Sequence, residues 1–131
     1  MGLALTVVAV VLVGLLVLAG AAAAAWLGYS RGRPWLWDRR VARAGFVERD
    51  IEVDGVRLHY AEGPPTGPPL LLIHGQSTDW RSYRRVLPAL ARRAHVVVVD
   101  VPGHGGSAHA PATYTARALA ACMEGFAAQV F

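Results

Sequence analysis

No charged residue precedes Arg31, and Leu3 to Leu27 is a run of Leu, Val, Ala and Gly interrupted only by Thr6 and Trp26. As a helix those twenty-five residues would be about 37 Å long, more than the roughly 30 Å of bilayer hydrocarbon, so the segment is long enough to cross a membrane with some tilt. Such a run carries no polar surface, and the globular part of the chain must be sought downstream. Trp26, Tyr29, Trp35 and Trp37 gather at its C-terminal end, where amphipathic rings favour the headgroup layer. A cleaved signal peptide is the rival reading, because Ala21 to Ala25 offers a small-residue cleavage pattern. Against it, no basic region precedes the run, which exceeds the roughly 7 to 15 residues of a signal peptide's apolar core. We therefore expect an uncleaved transmembrane anchor over residues 1–30, with the lipid bilayer as the partner of residues 3–27.

Charge is concentrated just beyond this segment. Between positions 31 and 43, Arg31, Arg33, Arg39, Arg40 and Arg43 face Asp38 alone, a surplus of four that equals the net charge of +4. Residues 31–45 also hold Gly32 and Pro34 and show no sustained apolar period, so they read as a basic juxtamembrane linker. The positive-inside bias places the domain downstream of these arginines in the cytoplasm. From Ala44 onward eight arginines balance eight acids, and a domain without surplus positive charge is no nucleic-acid binder. All thirteen basic residues are arginine, a bias that reflects base composition and carries no functional message. The single Cys122 excludes an internal disulfide framework, and no Cys/His grouping has zinc spacing, so neither a metal nor a cofactor is called for.

Organisation of another kind begins at Phe46. Apolar and polar residues roughly alternate from Phe46 to Val53 and from Val56 to Tyr60, around Asp54-Gly55, a dipeptide suited to the positive φ angles of a hairpin turn. Four prolines between Gly63 and Pro69 then exclude a regular element. Leu70 to Ile73 and Val96 to Val99 are continuous apolar runs, the pattern of central strands covered on both faces of a parallel sheet. Between them, Thr78 or Asp79 can cap a helical stretch containing Trp80, Tyr83, Val86, Leu87 and Leu90, which Pro88 divides in two. Thr113 or Thr115 caps a second helix reaching Val130, with Cys122 on its apolar side as a core residue. The fold class is α/β: an antiparallel hairpin followed by parallel strands with crossover helices, over residues 46–131.

Ligands bind outside the C-terminal ends of strands in open α/β sheets. Two tight loops leave those ends here: Ile73-His74-Gly75-Gln76-Ser77, and Asp100-Val101-Pro102-Gly103-His104-Gly105-Gly106-Ser107. A glycine directly after a buried strand lets the backbone turn sharply and aim its next N–H groups into a cleft, as an oxyanion hole requires. With their hairpin, strand and turn, Asp54 to Tyr60, Leu70 to Gly75 and Asp100-x-x-Gly103-x-Gly105-x-Ser107 together resemble the α/β-hydrolase family, in its esterase and epoxide-hydrolase-like branch, over about Phe46 to Ala121. The resemblance implies that Gln76 gives one backbone N–H to the oxyanion hole, while His74, Gly75, Asp100, Gly103, Gly105 and Ser107 form structural turns near the site. It implies hydrolysis of a small-molecule ester, amide, lactone or epoxide.

The chain also departs from that family. Members continue into a nucleophile elbow, Gly-x-Ser-x-Gly or its Asp equivalent, and then an acid and a histidine, and none of the 131 residues matches these. We expect the sequence to be the N-terminal part of a longer enzyme or a shortened copy, inactive by itself, with the Leu70 to Ile73 strand left as an open edge. The alternative is a non-catalytic membrane-bound remnant or interaction module. Several local features have plainer readings. His74 is a hydrogen-bonded part of its turn, His104 and His109 are solvated loop residues, and Trp80 and Tyr83 pack against the sheet. A formal dinucleotide fingerprint, Gly103-x-Gly105-x-x-Ala108, is accidental because Pro111 blocks the helix it needs.

Overall fold

A computed structural model describes residues 2–131, with side chains described at 12–29 and 35–131. The side chains of the expected anchor from Leu3 to Val11, and those of Arg31 and Arg33, lie outside that set. The chain divides into two units, Met1–Leu36 and Trp37–Phe131. From Gly2 onward the first unit is part of helix α1 (Gly2–Arg43). Its window Leu12–Tyr29 is long and apolar enough to cross a membrane, and none of that window is buried inside the structure. Trp26 and Tyr29 stack near its end, with ring centroids 6.1 Å apart.

The stretch read as a linker is helical as far as Arg43, and the second unit begins at Trp37, upstream of Phe46. Backbone geometry shows how α1 ends. Gly45, at φ +87°, sends its N–H to the Ala42 carbonyl, and Phe46 N–H reaches back to the Val41 carbonyl. Those paired bonds form a Schellman termination, and the apolar contact that accompanies it is present, because Val41 and Phe46 are buried in one cluster.

Strands β1 (Val47–Val53), β2 (Val56–Glu62), β3 (Pro69–Ile73) and β4 (His95–Val99) form one sheet in the order β1-β2-β4-β3. β1 and β2 are antiparallel with Val53 opposite Val56, joined through Asp54 and Gly55, both at positive φ as the dipeptide predicts. β4 runs antiparallel to β2 and parallel to β3, with Leu71 beside Val97. Its valines feed two cores. Val96 and Val98 meet Trp80, Leu87 and Ala91 on one face, while Val97 and Val99 meet Leu58, Met123 and Phe126 on the other. That double burial explains a strand with no polar alternation. β3 carries the run of a central strand yet lies at the edge of the described sheet, the open edge expected of it, and Ile73 is 43% exposed.

Between β3 and β4 the chain makes a 3₁₀ turn at Trp80–Tyr83 and a short helix α2 (Leu87–Leu90), with Pro88 in its first turn. Asp79 caps the former by accepting from Arg81 N–H. Helix α3 (Ala116–Val130) is capped by the Thr115 hydroxyl oxygen, which accepts from Ala118 N–H, and it buries Cys122, Met123 and Phe126. Phe126 meets Tyr60 edge to face, with centroids 5.2 Å apart. Burial, reinforced by the charge of Asp54, raises the Cys122 thiol above its ordinary value. Because the thiolate is the nucleophile, iodoacetamide is expected to modify Cys122 at least about tenfold more slowly in the folded chain than in urea. Equal rates would show that α3 does not seat against the sheet.

Candidate active site

β3 ends at Ile73 and delivers His74 into the interior, where its side chain is fully buried. Val101 N–H donates to His74 Nε2 at 3.1 Å, so that nitrogen carries a lone pair. Nδ1 lies 2.7 Å from the Gly75 carbonyl oxygen, which can only accept, so Nδ1 carries the proton. Both ring nitrogens are thus committed to backbone groups, and the imidazole is a brace between the two loops, not a base facing a substrate. The Asp100 carboxylate stands 3.9 Å from Nε2, beyond hydrogen-bond reach.

That brace has a consequence one residue later. The Gly75 carbonyl also accepts from the Thr78 hydroxyl at 2.9 Å, so two donors hold it on one side of the turn. No cis peptide occurs among the described residues, and in a trans peptide the carbonyl of one residue and the N–H of the next point in opposite directions. The Gln76 N–H therefore points away from His74 and Thr78. Gln76 is exposed and lines a cleft of about 430 Å³ with Pro102, His104, Thr113, Tyr114 and Leu119.

The second loop is built around one buried carboxylate. Asp100 Oδ1 accepts from Trp80 N–H at 2.6 Å and Oδ2 from Gly106 N–H at 2.8 Å. Its main chain is held as firmly: Asp100 N–H donates to the His59 carbonyl, and the Asp100 carbonyl accepts from the Ser107 hydroxyl at 2.6 Å. Ser107 Oγ in turn accepts from His59 N–H at 2.8 Å. Each spaced residue of the loop has a reason here. Gly105 sits at φ +52°, and a Cβ there would overlap the Asp100 carboxylate. Gly103 sits at φ +81°, and a Cβ there would collide with the Tyr114 hydroxyl, which is hydrogen-bonded to His109 Nδ1 at 2.7 Å.

The two loops meet. Pro102 and His104, which flank Gly103, share the cleft with Gln76, and the His74 and His104 rings are 5.4 Å apart. Ser107 is a structural bridge, and Ser77 is an exposed turn residue at φ +61°. Trp80 is buried in the core, and the Tyr83 hydroxyl donates to the Ile73 carbonyl at 2.8 Å, fastening the end of β3. His104 and His109 assemble no metal set: among the described residues no group of His, Cys, Asp and Glu suits a metal ion. Thr78, His59 and the cleft wall at Thr113 and Tyr114 escape sequence reasoning. Thr78 is visible only as a helix cap, and the bond from His59 to Ser107 joins residues 48 positions apart.

Residues 68–129 match the family model described as the alpha/beta hydrolase fold. A fluoroacetate dehalogenase from a Burkholderia species is 40% identical over 81 residues, covering 58% of this chain and 26% of that protein. A soluble epoxide hydrolase from a Corynebacterium species is 35% identical over 68 residues, covering 52% of this chain and 23% of that one. The chain therefore spans about a quarter of the length of these curated relatives. Among solved structures, a bacterial membrane phospholipase A aligns with a TM-score of 0.66 at 32% identity, over 89% of this chain and 39% of that chain.

Proposed function

This chain belongs to the α/β-hydrolase family, of whose fold it carries the N-terminal part, and on that premise we propose that it supplies the oxyanion-binding side of a membrane-anchored hydrolase. The bond broken is an ester, amide, lactone or epoxide carbon–oxygen or carbon–nitrogen bond. The nucleophile, its acid and its histidine come from outside residues 1–131. The Gly75–Gln76 peptide carries the reading: its carbonyl is held from behind by His74 and Thr78, which leaves the Gln76 N–H aimed forward. A donor fixed before the reaction needs no reorganisation when negative charge develops on the substrate oxygen. Leu3 to Leu27 is the anchor, and the arginines just beyond it keep the catalytic unit in the cytoplasm.

Turnover of an activated ester and of an aromatic epoxide by the native membrane-associated protein tests this. Gln76→Pro removes the N–H and is expected to lower kcat by about 10²- to 10³-fold, the usual effect of losing one oxyanion donor. Gln76→Ala keeps the N–H and should stay within about tenfold of wild type. Equal activity in the two variants would remove Gln76 from the mechanism. Absence of turnover in the wild-type protein would favour the non-catalytic alternative.

A further inference from the structure

The fold gathers part of the chain's arginine surplus into a groove. Arg40 and Arg43 occupy the last turn of α1, and Arg92 lies just past α2. With Ala44, Pro88 and Ala91 they line a depression of about 360 Å³. No lining residue is acidic. Among the described residues Arg49, Arg57, Arg81 and Arg84 have carboxylate partners, whereas Arg40, Arg43 and Arg92 appear in no ion pair. Arg92 Nη1 reaches only the Pro88 carbonyl, at 3.4 Å. Beside the groove the Arg40 guanidinium lies 4.8 Å from the centre of the Trp37 ring, and that of Arg85 lies 6.0 Å from it. A tryptophan flanked by two cations is the side-chain combination found at headgroup level.

We propose that the groove of Arg40, Arg43 and Arg92 binds the phosphate of an anionic phospholipid headgroup. Charge and tether together select this occupant. Guanidinium groups without carboxylate partners suit a phosphate by charge and by their planar sets of N–H donors. Trp37 lies eight residues after Tyr29, a stretch that covers at most about 29 Å even fully extended. The tether therefore keeps Trp37, beside the groove, within about 29 Å of the end of the apolar run. This inference rests on the anchor reading above.

The test titrates the full chain in nonionic detergent with short-chain phosphatidylglycerol, short-chain phosphatidylcholine and inorganic phosphate, counting bound molecules by native mass spectrometry. Phosphatidylglycerol is expected to bind about tenfold or more tightly than phosphatidylcholine, because each arginine near the surface favours the anionic headgroup over the zwitterionic one. The Arg43→Ala/Arg92→Ala double variant should lose that preference. Both side chains are exposed, so their removal leaves the core intact. Arg117→Ala, an exposed change on α3, should keep the preference. Equal binding of the two lipids, or a preference that survives in the double variant, would overturn the proposal. Inorganic phosphate binding as tightly as phosphatidylglycerol would assign the groove to free phosphate and overturn the lipid assignment. Alkaline carbonate extraction of the membrane fraction tests the anchor separately, so loss of the anchor reading and loss of the headgroup site give different results.

Discussion

Asp100→Ala is expected to destabilise the Trp37–Phe131 unit by about 3 to 5 kcal/mol, read as a fall of roughly 15 °C or more in its melting temperature. The side chain is wholly buried, and its two oxygens accept from two backbone N–H groups on separate segments. Alanine leaves Trp80 N–H and Gly106 N–H without partners, each at a cost of about 1 to 3 kcal/mol. It also removes the link between the 3₁₀ turn after the first loop and the glycine turn that walls the cleft. Asp100→Asn separates charge and shape from hydrogen bonding. Asparagine keeps the volume but turns one acceptor into a donor, so one N–H would face an NH₂ group. Asn is therefore expected to recover less than half of the loss. Circular dichroism melting of the full chain in detergent measures both variants, and a near-native melting temperature for Asp100→Asn would mean that the carboxylate's second hydrogen bond contributes little.

The fold was most legible where a residue's neighbours are dictated by its own local pattern. Asp54-Gly55 announces the hairpin because the turn itself demands positive φ. The four valines of β4 read as a doubly covered strand because each face has its own core. β3 carries the same kind of run and sits at the edge, as expected from the family's strand order; the apolar pattern alone records what a strand can bury and not which strands lie beside it. α1 shows the opposite failure. Pro34 and the crowded arginines hide a helix that reaches Arg43, and the signals for its end are spread over Val41, Gly45 and Phe46, which only the Schellman bonds bring together. At the site, the glycines advertised both turns. The direction of the Gln76 N–H depends instead on which atoms accept and donate around His74 and Thr78, and spacing carries no record of that.

Gly105→Ala is expected to cost about 3 kcal/mol or more, from two sources that can be separated. Holding an L-residue in the left-handed region costs roughly 1 to 2 kcal/mol. The remainder arises because the new methyl would overlap the carboxylate of Asp100, itself fixed by Trp80 N–H and Gly106 N–H, so neither side can yield without breaking a bond. The second term vanishes once the carboxylate is gone. In an Asp100→Ala background, Gly105→Ala should therefore cost only the conformational part, about 1 to 2 kcal/mol, and the double-mutant cycle should show a coupling of at least about 1 kcal/mol. Strict additivity would mean that the glycine is required for its backbone angle alone. Coupling of the expected sign would show that the glycine two residues before Ser107 exists to make room for the aspartate that begins the turn, which is the physical content of the spacing Asp100-x-x-Gly103-x-Gly105-x-Ser107.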